Sequence, residues 1–195
     1  MYSNGLMLRL IALQTVIIAL SNWLAHFKWA IMGNPLSAAV WCTPVALVAT
    51  DLTVRLIGKG LARSVTLMTV VPGMLLTVVA LMAWGGTATD IARVTIASGV
   101  SWCLPVLLDI SIFNSLRQRY TVWWMAPGVS GAITAAIMTY VFWGLAFAHG
   151  ENQFLSDNWY IIATNQIAFK IVMNLVLLLP MYKLLLDALQ ARMAR

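Results

Sequence analysis

Residues 159–189 read WYIIATNQIAFKIVMNLVLLLPMYKLLLDAL, a long apolar run with Lys170 near its middle. Gln166 and Asn174 stand four residues to either side of it. At 3.6 residues per turn these three polar side chains share one face of a helix. A lysine that deep in a lipid-spanning helix costs about 2.5–3.5 kcal/mol unless it faces protein or water. The stripe therefore belongs inside a bundle, against a partner on another helix, a backbone carbonyl or a ligand.

The remainder of the chain supports that reading. Its 195 residues are 62% hydrophobic and 9% charged, and the mean hydropathy is +0.87. Soluble globular domains carry roughly 25% charged residues. The expected class is an all-α membrane protein, a single six-helix integral membrane domain over residues 1–195. A span needs about 20 apolar residues. Six are expected, at Leu6–His26, Ser37–Ile57, Leu61–Trp84, Ile91–Leu116, Val122–Ala148 and Trp159–Leu189. The last is too long for one perpendicular crossing, so it tilts or runs on past the bilayer, with Pro180 as a kink point. The first lacks a basic leader and a small-residue cleavage site and is expected to be retained as a span.

Lysine and arginine in the short loops set the orientation. Lys59, Arg63, Arg117, Arg119, Lys183, Arg192 and Arg195 gather at one side, and the opposite side has Lys28, Glu151 and Asp157. Both termini are expected in the cytoplasm. The net charge of +6 is thus a topology signal, because no basic patch with interleaved exposed aromatics points to nucleic acid. Trp29, Trp84 and Trp159 fall at outer span ends and Trp123 and Trp124 at an inner one, as an interfacial belt requires. Trp41, Trp102 and Trp143 lie deeper, either packing the bundle or offering stacking faces to a flat heterocycle. In the fifth span Gly128, Ala132 and Ala136 form one row of small residues, and Gly131, Ala135 and Thr139 a second. Such rows let helices approach closely or leave a void for a ligand.

Other ionisable groups in or near spans are Asp51, Arg55, Asp90, Arg93 and Asp109. Asp51 and Arg55 have i, i+4 spacing and Asp90 and Arg93 i, i+3, so each set can pair on its own helix. Asp51, Arg55 and Asp109 lie toward the cytoplasmic side, either as an interfacial ion cluster or as a gate or coupling element. Catalytic arrangements are missing. His26 and His149 are the only histidines, Glu151 the only glutamate, and neither a metal-ligand motif nor a phosphate-binding loop occurs. Cys42 and Cys103 sit in apolar segments without CxxC spacing and read as packing residues. No enzyme activity, cofactor or metal is expected. Without a phosphate-binding loop, the chain is expected to carry no nucleotide hydrolysis of its own.

These residues also carry a resemblance that covers most of the chain. Ser21-Asn22, Ala49-Thr50-Asp51-Leu52-Thr53-Val54-Arg55, Ala92-Arg93 and Ala97-Ser98 come first in order. Asp109, Phe113, Leu116-Arg117-Gln118, Trp123-Trp124, Ala126-Pro127 and Ser130 follow, then Phe169-Lys170 and Leu179-Pro180-Met181-Tyr182. In this order and spacing the sequence resembles the queuosine-precursor transporter family, in the vitamin-uptake-transporter group. The resemblance implies a six-helix inner-membrane protein, similar in architecture to the substrate-binding subunits of energy-coupling-factor transporters. It implies uptake of deazaguanine precursors of queuosine. The sequence departs from the family at Pro105-Val106, where a Gly-Gln pair is usual. It departs again at Ala135 and Met138, where an amide and an aspartate are usual, and at Gln166, where an aspartate is usual.

The expected function is import of queuosine precursors or a closely related flat heterocycle. Two alternatives stand beside it: transport or binding of another purine-like or vitamin-like compound, and a membrane scaffold without transport. The substrate is expected between the fourth, fifth and sixth helices. Lys170, Gln166 and Asn174 would donate to it, Arg93 would stand at the mouth, Trp41, Trp102 or Tyr140 would stack, and Asn22 would join the site. The expected partners are a small-molecule substrate, the lipid bilayer and a separate energising subunit or a second copy of the chain.

Overall fold

The computed structural model describes residues 4–31 and 34–193. Six helices among them are long and apolar enough to cross a membrane. Helix α1 is Asn4–Leu24, α2 Cys42–Leu56, α3 Lys59–Ala83, α4 Ala88–Arg119 and α5 Met125–Phe147. The last crossing is continuous but composite: α6 (Gln153–Met173), a π-helical turn (Asn174–Leu178) and α7 (Leu179–Met193). At 1.5 Å per residue, its 40 residues from Gln153 to Arg192 reach about 60 Å, twice the hydrocarbon thickness. The helix therefore runs on past the bilayer. The π turn sits where Pro180 requires it. Proline has no N–H and its ring crowds the carbonyl four residues back, at Val176. The widened turn accommodates this, closing with Leu179 N–H on Asn174 O.

Helix ends differ from the expected spans in two places. The first connection is not an open loop: β1 (Lys28–Ile31) and β2 (Asn34–Ser37) pair antiparallel, Lys28 opposite Ser37. Ser37 then caps a short 3-10 turn, Ala38–Trp41, by accepting from Ala39 N–H at 3.2 Å, so α2 proper starts at Cys42. The last helix starts six residues before Trp159, because Asn152 Oδ1 accepts from Leu155 N–H at 3.1 Å as an N-cap. Both devices are local side-chain caps that hydropathy does not register.

The bundle has two unlike ends. The hairpin end carries the β-hairpin, the Gly85–Thr87 turn and the Ala148–Asn152 turn. The basic end carries the Gly58 turn, the Tyr120–Trp124 turn and α7. Helix α2 is central, with 61% of its span buried, whereas α1 is 6% buried and lies on the periphery. Polar bonds fasten α1: Gln14 Nε2 donates to Thr50 Oγ1 at 3.0 Å, and Asn22 Nδ2 to Thr77 Oγ1 at 3.2 Å. Such bonds contribute about 0.6–2 kcal/mol each where lipid competes for apolar contacts. The main core cluster lies among α2, α4, α5 and α7, with Val54, Val106, Ile110, Phe113 and Tyr182 fully buried. Small residues permit the close contacts. A Cβ on Gly99 would meet Met74 Sδ at 2.8 Å, and one on Gly131 would meet Asn174 Nδ2 at 2.8 Å.

Candidate functional site

A cavity of about 550 Å³ occupies the hairpin half of the bundle. That volume suits a ligand of drug-like or nucleobase size. Its walls come from α1 and α3 as well as from α4, α5 and α6, so it is broader than the expected cleft between the last three. Lys28, Asp90 and Glu151 lie toward its mouth, and Lys170, Gln166, Thr139 and Met138 toward its floor.

The stripe on α6 faces inward as its spacing requires. Lys170 is 7% exposed, and its Nζ donates to Thr139 Oγ1 on α5 at 2.9 Å. An ammonium has three donors, so two remain after this bond. Gln166 Oε1 accepts from Trp143 Nε1 at 3.1 Å, which fixes the amide orientation and turns its NH2 group away from the tryptophan. Trp102 also lines the cavity, and its buried Nε1 has no acceptor in the protein. Asn22 is on the wall near Thr77.

Four other expected site residues lie outside the cavity wall. Asn174 packs over Gly131 and borders a second, much smaller void with Lys170, Ala135 and Asp51. Arg93 reaches across to the carbonyls of Ala148 and His149 at the C-terminus of α5, where a cation complements the helix dipole. Trp41 is 38% exposed and rests edge-on against Phe169, ring centroids 5.5 Å apart. Tyr140 is 41% exposed and shares a 2.8 Å hydrogen bond with Thr164. In the sequence Thr139 reads only as part of a small-residue row. Trp143 was one of three deep tryptophans and lacked a signal to separate it from the others.

The expected local ion pairs do not form. Among the described residues the single ion pair is Lys183–Asp187 at 2.9 Å, on the exposed part of α7. Asp90 closes the first turn of α4, its N–H bonded to Thr87 Oγ1 at 3.1 Å, while Arg93 points to α5. Asp51 turns into the bundle core rather than toward Arg55. Arg55 instead extends to the basic end, where its Nη1 donates to Tyr182 OH at 3.5 Å. Arg117 Nη1 donates to Arg55 O at 2.9 Å and Val54 O at 3.3 Å, closing the C-terminus of α2. Partner choice is tertiary at both places, and each arginine finds backbone or phenol oxygen on another helix.

Asp51 and Asp109 meet below the cavity floor. They are 2% and 0% exposed, and each acid lies near enough to act on the other's charge. Thr134 Oγ1 donates to Asp109 Oδ1 at 2.9 Å. Asp51 Oδ1, Asp109 Oδ2 and the fully buried Ser130 Oγ have no hydrogen-bond partner in the protein.

A deep cavity with a charged floor, embedded in six membrane-length helices, suits a carrier for a small polar molecule. Comparison with known proteins agrees. The chain is 32% identical over 190 residues to the "Queuosine precursor transporter" of Escherichia coli (strain K12), covering 92% of this chain and 86% of that protein. It is 28% identical over 196 residues to the "Probable queuosine precursor transporter" of Haemophilus influenzae (strain ATCC 51907 / DSM 11121 / KW20 / Rd), covering 89% and 83%. No solved structure matches. The family described as "Putative vitamin uptake transporter" matches residues 37–185, and the chain belongs to that family.

Proposed function

We propose that this multi-pass membrane protein imports queuosine precursors, the deazaguanine bases, across the cytoplasmic membrane, with both termini in the cytoplasm. The observation that carries the reading is the 550 Å³ cavity, whose wall includes Lys170, Gln166 and Trp102. A deazaguanine is flat, with polar atoms on its rim. Lys170 would donate to a rim acceptor, the Trp102 indole N–H to a second, and Gln166 to a third through its NH2. Asn22 would meet the base on its way from the mouth. The Trp102 and Trp143 rings supply apolar faces for stacking. Arg93 would hold the α4–α5 edge of the mouth together, and Asp51, Arg55 and Asp109 would close the cytoplasmic side. Asn174, Trp41 and Tyr140 would act by packing against the site. No catalytic role is assigned, and the whole chain would work as one unit.

Met138 on the cavity wall favours a second reading, a related purine-like or vitamin-like compound with fewer rim groups. A hydrophobic replacement leaves ligand polar groups unpaired, and the cost is one to three kcal/mol, roughly, for each. Uptake of a labelled deazaguanine precursor into cells without another importer, with queuosine in tRNA as the readout, tests the first reading. A positive signal is expected. No signal from well-inserted protein would overturn the substrate assignment, and a thermal-shift panel of nucleobases and vitamins would then identify the other ligand.

A further inference from the structure

The Asp51–Asp109 pair lies outside the cavity, and substrate contact does not account for it. Two ionised carboxylates buried side by side repel each other, and one proton held by either removes that repulsion. Oδ1 of Asp51, Oδ2 of Asp109 and Ser130 Oγ are all buried, and no hydrogen-bonding group of the protein reaches them. The charged and titratable groups around the pair come from every neighbouring element. Arg55, on α2, is engaged with Tyr182 of α7; Arg117, on α4, is engaged with carbonyls of α2. Helix α5 contributes only the neutral Ser130 and Thr134. Lys170 of α6 shares the small void with Asp51, and that void holds about one water-sized sphere. Among the described residues there is no cluster of three His, Cys, Asp or Glu side chains that would favour a multivalent metal.

We propose that Asp51 and Asp109 hold one proton between them, and that its binding and release couple substrate entry to the proton gradient. The inference rests on the import reading above. When the pair is reached from the acidic side, an O–H bond forms on one carboxylate and donates to the other. The remaining single negative charge is shared across the bridge, which lets α2 and α4 stay closely packed. When the pair opens to the cytoplasm, that O–H bond breaks and the proton leaves to water. The proton is a co-substrate, and no other reactant is consumed. Lys170 ties the two events together, because it borders both the substrate cavity and the void beside Asp51. A ligand that takes up the lysine's free donors alters the field at Asp51.

The test uses purified protein in proteoliposomes and a tritiated deazaguanine precursor. An inwardly directed proton gradient should drive accumulation above the outside concentration in the wild type. Asp51→Asn and Asp109→Asn should lose that accumulation and retain measurable exchange of labelled for unlabelled substrate, which also shows that they fold. Difference infrared spectra on a pH step should show a protonated carboxyl band that either substitution removes. Accumulation that persists in both variants, accumulation driven by sodium instead of protons, or absence of the band would each overturn the proposal. If the wild type neither takes up nor exchanges the precursor, the import reading falls, while the band still decides whether the pair holds a proton.

Discussion

The two halves of the bundle use buried polarity in opposite ways. In the hairpin half, Lys170, Gln166 and Trp102 border about 550 Å³ of space. In the basic half, Asp51 and Asp109 are sealed among Val106, Ile110 and Phe113, and the neighbouring void holds about one water. The helices are the same; the packing differs. Where α5 presents Gly128 and Gly131 to the last helix, Leu179 and Asn174 come in close and leave only that small void. Where the same α5 presents Met138 and Trp143, the wall bounds a cavity. A carrier needs one open side and one closed side at any moment, and this arrangement supplies both along one axis.

Substitutions can break that contrast, beginning with the floor of the open half. Lys170→Met is expected to have the largest effect, because a hydrogen bond from a charged group contributes about 1.5–3 kcal/mol. Uptake should fall by roughly 10- to 100-fold on that basis. Protein in the membrane and its melting temperature should hold or rise, since an apolar replacement removes the cost of burying a charge. Equal uptake by the variant would mean that the lysine only holds α6 to Thr139. In the closed half, Gly131→Leu forces its side chain into Asn174, and overpacking of this kind costs about 1–3 kcal/mol. Thermal unfolding should report a lower melting temperature, and an unchanged one would show that the halves do not differ in packing as described.

A gentler change at the open half is Trp102→Phe, which keeps a ring and deletes the free indole N–H. A neutral hydrogen bond contributes about 0.5–1.5 kcal/mol, so KM should rise roughly 2- to 10-fold with the transport maximum little altered. Tyr140→Phe, outside the wall, should leave KM within about twofold, since its hydroxyl serves only Thr164. A large KM change there would relocate the site. The smallest effect is expected for Lys183→Ala. Its ion pair with Asp187 is exposed, and such pairs contribute about 0.2–1 kcal/mol, which denaturation in detergent would barely register.

Which parts of this were legible in advance follows from what a membrane does to a sequence. The six crossings announce themselves through length and hydropathy, and Lys170 through its cost in lipid, so both were readable. Side-chain facing was not. Lipid and bundle interior are equally apolar, and hydrophobic periodicity cannot tell which side of a span meets which. For this reason Trp41 and Tyr140 looked as eligible as Trp102, and only the structure separates exposed rings from the cavity wall. The partners of the acids are hidden for a related cause. Spacing along one helix proposes Arg55 for Asp51, but the bundle brings Asp109 there instead and gives Arg55 the Tyr182 hydroxyl.

The π turn at Asn174–Leu178 has a geometric consequence for the last helix. Each residue of an α-helix advances about 100°, so the 12 residues from Lys170 to Tyr182 would carry Tyr182 about 120° out of phase with Lys170. A π turn absorbs one surplus residue, taking back about 100° and leaving the two side chains within about 20°. That correction keeps Gln166, Lys170, Leu178, Tyr182 and Leu186 on one inward line, although they pass from a cavity wall to a close-packed core. The helix works as a camshaft with one compensating tooth. The lysine at the cavity and the tyrosine that Arg55 meets at the other end thus face one side of the same rod.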